Sequence, residues 1–158
     1  MKFKVFNIEF DGIDKVGKDT VMKQIFSMAP NKYIPKARGI MSQIAYSALN
    51  NRNYEYEINK GYLDNTLIVY LTVDEDDWKV RCDLSNEKAV NATKCDTRNE
   101  LEMVNMKYSN HVKVFDYAYN KLKDLGMEES HLMTFNTSHM TAFQIIKEVL
   151  ARLDELNK

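Results

Sequence analysis

The chain has 158 residues, 44% hydrophobic and 28% charged, with a formal net charge of −1. That length suits one domain with one core, 1–158, and the near-zero charge gives no electrostatic basis for bulk nucleic acid or an anionic membrane as partner. No apolar run approaches the ~20 residues that span a bilayer.

Residues 1–10 read as a first, central strand, apolar and alternating from Phe3 to Phe10. The chain enters this strand at once, so no secretory leader is expected. Next comes Asp11-Gly12-Ile13-Asp14-Lys15-Val16-Gly17-Lys18-Asp19-Thr20, then a segment with helical spacing to about residue 28. Gly12 and Gly17-Lys18 stand in the G-x-x-x-x-G-K order of a P-loop, in the strand–loop–helix setting the motif needs. Glycines let successive backbone N–H groups turn inward around a phosphate. The helix beginning there adds its positive end, and Lys18 adds a point charge for the outer phosphates. The plain alternative is a strand-to-helix turn with no ligand. Asp19 stands where the motif has Ser or Thr, with Thr20 following. A carboxylate there is a candidate Mg²⁺ ligand, because hard cations favour oxygen. It would also repel a phosphate.

Residues 32–36 form a short strand candidate weakened by Pro35. Residues 39–49 read as a helix with Ile40, Ile44, Ala45 and Leu49 on one side. Residues 54–63 are ambiguous between a short helix and a turn. Residues 66–73 are apolar enough for a strand buried on both faces. A helix begins near Asp74, a candidate N-cap, and the acidic run 74–77 suits its first turn. Residues 82–96 are polar and aperiodic, the pattern of a loop or flap. Thr97 to Glu100 has the form of a capping box, and a long helix comes next through Leu101, Val104, Tyr108, Val112, Phe115, Tyr119, Leu122 and Leu125, stopping at Gly126. Residues 131–136 make the last strand, and Ser138 is expected to cap a final helix. Strands alternating with helices predict an α/β, three-layer fold: a small parallel sheet of about four strands flanked by helices. The glycine-containing loop would then lie at the carboxyl ends of the strands, where such folds bind ligands. Cys82 and Cys95 fit no zinc spacing and read as thiols of a reducing cytosol. His111, His131 and His139 read as structural.

Phe10-Asp11-Gly12-Ile13-Asp14-Lys15-Val16-Gly17-Lys18-Asp19-Thr20 resembles the F-E-G-x-D-[RK]-x-G-K-[ST]-T of the thymidylate kinases and related phage deoxynucleoside monophosphate kinases. Arg38-Gly39-Ile40-Met41-Ser42-Gln43-Ile44-Ala45-Tyr46 resembles their D-R-[YS]-x-x-S-x-x-A-[YF], and the element order from residue 66 onward is similar. The resemblance implies a P-loop NTPase-type kinase fold, with ATP as donor, Mg²⁺, and a deoxynucleoside monophosphate as acceptor, a pyrimidine one by kinship. It implies that Lys18 binds the outer phosphates and that the backbone of Asp14, Val16, Gly17, Asp19 and Thr20 wraps them. Lys15 would clamp the transferring phosphoryl. Arg38 would grip acceptor and transferring phosphates. Asp14, Ser42 and Tyr46 would line the acceptor, with Tyr46 against its sugar. Arg81 and the flap after it would cover the donor. The resemblance also implies a cytoplasmic location, in a host cell if the protein is virally encoded.

The chain departs from that pattern at three places. Asp19 replaces the hydroxyl residue, as in the GKDT of some phage nucleotide kinases. Ala37 stands where the family has Asp. The family's strand and helices between the loop helix and Arg38, which carry acceptor contacts, are absent. The acceptor site is therefore reduced, or rebuilt from 51–63 or from a second subunit in a homodimer. Plain alternatives stand beside each assignment: Arg38 capping carboxylates, Tyr46 in the core, Arg81 solvated. A nucleotide-binding regulator or decoy without catalysis is the competing function. Thr93-Lys94-Cys95-Asp96 looks like the guanine-reading [NT]-K-x-D of a small GTPase, but no buried strand precedes it and no D-x-x-G stands after the loop at a suitable distance.

Overall fold

A computed structural model describes residues 4–13, 16–49, 59–82 and 108–158. Along the chain these form β1 (Asn7–Asp11), α1 (Lys18–Met28), β2 (Ile34–Ala37), α2 (Ile40–Leu49), α3 (Lys60–Asp64) and β3 (Thr66–Thr72). A helical segment, α4 (75–82), comes next. Then come α5 (Tyr108–Asp124), a 3-10 turn (Glu129–His131), β4 (Leu132–Asn136) and α6 (Ala142–Leu156). The expected flap at 82–96 lies outside the described residues from residue 83 on, as do Thr97, the GTPase-like 93–96 and the first turns of the long helix.

The four strands form one all-parallel sheet in the order β2-β1-β3-β4. The chain leaves β1 towards β2 and then crosses back to β3, so right-handed crossovers put α1 and α2 on opposite faces. α1 packs with α6, and α2 packs with α5, which completes three α/β layers. β3 is buried along nearly its whole length, with Leu67 to Val69 and Leu71 fully enclosed. Its continuous apolar run reflects helices on both sides. β2 is the outer strand and half exposed, which is why Pro35 is tolerated in it.

Two local expectations are corrected. β1 begins at Asn7, not residue 1. Ahead of it, Val5 is held by Asn157, whose side chain accepts from Val5 N at 2.6 Å and donates to Val5 O at 2.9 Å. The cap of the last helix is Thr141, not Ser138. Thr141 and Gln144 form a reciprocal capping box. The Ser138 hydroxyl instead accepts from Asp74 N at 2.9 Å, tying the start of α4 to the turn after β4. Gly126 does end α5, at φ 95, with Met127 N bonded to Leu122 O. Among the described residues no helix is long and apolar enough to cross a membrane.

Candidate functional site

In parallel sheets of this kind, ligands bind beyond the carboxyl ends of the strands, where successive connections leave in opposite directions. Here that point lies between β1 and β3, and the segment 12–17 leaves β1 there. Gly12 takes φ 147, and a Cβ on it would overlap the carbonyl of Leu71 on the neighbouring strand. Only glycine lets the chain turn so close to β3. Gly17 takes φ 97 as the N-cap of α1. A glycine cap brings no side chain, so the first N–H groups of α1 face the loop without one. Lys18 is buried, and its Nζ donates to the carbonyls of Gly12 at 2.8 Å and Ile13 at 2.9 Å. Its ammonium is thus held in the mouth of the loop, beside the positive end of a helix. Two positive features at one spot are what an anion site requires.

The other flank of the loop is fixed by Thr137, directly after β4. Its Oγ1 lies 2.8 Å from the carbonyl of Val16 and 3.1 Å from that of Thr72, and donates to one of them at a time. It accepts from Arg81 Nη1 at 3.2 Å. Arg81 is therefore connected to the loop through the Thr137 hydroxyl. Asp19 and Thr20 are exposed in the first turn of α1. Asp14 and Lys15 lie outside the described residues.

Arg38 comes directly after β2, in the strand register next to the loop. Phe10 pairs with Ala37, and Arg38 N donates to Phe10 O at 3.0 Å. Arg38 takes φ 67, the left-handed region, which an L-residue with a long side chain rarely adopts. After it, α2 begins over two buried carboxylates of β1. Asp11 accepts from Gly39 N, 3.2 Å from each carboxylate oxygen, and from the Ser42 hydroxyl. Glu9 accepts from Ile40 N at 2.8 Å and from the Tyr62 hydroxyl. A Cβ at Gly39 would overlap the Glu9 carboxylate, so glycine leaves that carboxylate its place. The first N–H groups of α2 are thus satisfied by acids on another strand, not by a local cap. The Lys36 ammonium lies 5.3 Å from the centre of the Tyr62 ring. Tyr46, one helical turn beyond Ser42, packs edge-to-face on Phe115 of α5, with ring centres 5.6 Å apart.

Burial raises the Asp11 carboxyl above the usual carboxylate range, and the bonds from Ser42 and Gly39 oppose that rise. Burial, then the bond to Glu9, raises the Tyr62 hydroxyl, so it stays a donor. Lys36 is raised by the Tyr62 hydroxyl beside it. Among the described residues, no three His, Cys, Asp or Glu side chains are grouped to hold a metal. Asp19, exposed beside the loop, fits a cation only as one ligand among oxygens that a phosphate and water would supply.

The structure therefore brings together Gly12, Val16, Gly17, Lys18 and Arg81 on one side, and Arg38 and Ser42 on the other. Glu9, Asp11, Tyr62 and Thr137 are not singled out as site residues by sequence. Glu9 and Asp11 do carry a signal, two acids in a strand read as central and buried. Comparison of the chain with family models, with curated proteins and with solved structures gives no match.

Proposed function

We propose that the protein is a phosphotransferase that moves the γ-phosphoryl of ATP to a deoxynucleoside monophosphate. The observation that carries this reading is the Lys18 ammonium folded into a two-glycine loop at the sheet's switch point, with Arg38 leaving the adjacent strand end. Phosphoryl transfer needs positioning and charge neutralisation more than covalent help. Lys18 and the N–H groups of the loop would hold the donor's outer phosphates. Arg38 would bind the acceptor phosphate and the equatorial oxygens of the transferring group, a planar fork suited to phosphate. Arg81, tied to the loop by Thr137, would lie along the donor. Lys15 would add charge from the loop itself. The acceptor phosphate is already anionic, so no protein base is needed. Mg²⁺, when bound, would neutralise the phosphates, with Asp19 as its protein ligand.

The short run between α1 and Arg38, with Ala37 where the resemblance has Asp, favours a second reading, a nucleotide binder without transfer. One assay separates them. Wild type, Lys18→Ala and Arg38→Ala are given ATP and matched ribo- and deoxy-monophosphates in a coupled assay. The kinase reading expects turnover with deoxy-monophosphates, pyrimidine ones foremost, lost in both variants. ATP binding that depends on Lys18, with no monophosphate phosphorylated, leaves the non-catalytic binder.

A further inference from the structure

We propose that Glu9 and Asp11 are positioning residues for Arg38, holding it against the loop through the backbone of α2; this rests on the phosphotransferase reading. A central strand buried on both faces is normally apolar, yet in β1 Glu9 and Asp11 are both fully buried on one face. Burying a carboxylate is costly unless every acceptor site is used. These two take four donors: Gly39 N, Ile40 N and the Ser42 hydroxyl at the start of α2, and the Tyr62 hydroxyl from α3. An ordinary cap at the start of α2 would serve the helix at far lower cost.

Unlike a local cap, the buried acids register one element against another. Asp11 immediately precedes Gly12 of the loop, and the Lys18 charge acts on its carboxylate. The same carboxylate binds the residue after Arg38. The residue that leads into the loop therefore also holds the backbone next to Arg38. Arg38 is clamped on both sides, by its own N–H on Phe10 and by Gly39 on Asp11. A left-handed non-glycine residue persists only when its surroundings over-determine it. Glu9, one step further down the strand face, adds Ile40 and is itself oriented by Tyr62. Small displacements of a positioned phosphate ligand cost large factors in rate.

The test compares two substitutions at each acid. Asp11→Asn and Glu9→Gln keep a carbonyl acceptor for the α2 backbone, and the amide can meet a hydroxyl partner that turns to accept. Asp11→Ala and Glu9→Ala remove the acceptors. ATP affinity, the melting temperature, and kcat and KM for a deoxy-monophosphate are measured per ATP-binding molecule. The expected pattern is a kcat fall of at least about tenfold in the alanine variants, with ATP affinity within about threefold of wild type, and recovery to within about threefold in the amides. Should the alanine variants fail to fold, Ser42→Ala with Tyr62→Phe strips each acid of its side-chain donor, and is expected to lower kcat by about tenfold. Alanine variants, or that double variant, with wild-type kcat per ATP-binding molecule overturn the positioning role. Amides as inactive as the alanines also overturn it, because the charge and not the acceptor would then matter. A wild type that binds ATP but phosphorylates no monophosphate removes the phosphotransferase reading itself, and the positioning role falls with it.

Discussion

The loop after β1 and the junction after β2 lie side by side on one edge of the sheet, and they reach their shapes by opposite means. Among its described residues the loop uses glycine at both positions with positive φ, Gly12 and Gly17, where a larger side chain would be strained. Its lysine is satisfied by carbonyls five and six residues away in sequence. The junction puts an arginine in the left-handed region and uses buried acids more than two dozen residues distant to hold the start of α2. The first region takes its shape chiefly from its own glycines and lysine. The second is a non-local design, which the proposed role of the arginine side chain would explain.

The largest effect should come from breaking the loop. Gly12→Ala forces a Cβ into the Leu71 carbonyl at a φ that alanine rarely adopts. A loss of roughly 3 kcal/mol or more is expected from strain plus overlap, read by denaturant unfolding. Lys18→Ala leaves the turn intact and should lower ATP affinity and turnover by about 10² to 10³, checked by titration and steady-state rates. Tyr46→Ala probes the acceptor side. Its ring is packed on Phe115, so about 2 kcal/mol of stability should be lost, and a relaxed preference for deoxy over ribo substrates would show that the ring also faces the sugar. The smallest effect concerns pH. Asp11 is raised in the folded state above its ordinary 3.8, so the folded form holds that proton longer than the unfolded chain. Its contribution is fully present below 3.8 and is lost as pH rises through the folded value. Asp11→Asn, which does not titrate, should therefore gain in melting temperature relative to wild type as pH rises from about 3.5 to 7. A constant difference across that range would contradict the burial of an ionisable group there.

The same contrast explains what can be read from the sequence. β3, α1 and the stop at Gly126 announce themselves within a few neighbouring residues, through apolar runs, helical spacing and a glycine. So does the loop, whose two glycines and lysine all fall between Gly12 and Lys18. The roles of Glu9, Asp11, Tyr62 and Thr137 arise from sheet register and crossover, with partners 28 to 121 residues apart. No local pattern encodes such pairings. The shifted cap of α6 has the same origin: Ser138 is recruited by Asp74, across the sheet, and leaves the cap to Thr141. Sequence leaves Tyr46 open between core and sugar contact, and the fold places its ring against Phe115.

Arg38→Gly bears most directly on the difference between the two regions, because glycine suits a φ of 67 and removes only the side chain. Three quantities are read on one protein: unfolding free energy, ATP affinity and transfer to a deoxy-monophosphate. The expected result is a fold more stable by about 1 kcal/mol, ATP affinity within about twofold of wild type, and transfer lowered by at least about 10². Transfer at the wild-type rate in a stable Arg38→Gly protein would contradict the central claim that this junction is strained to present an arginine to the acceptor phosphate.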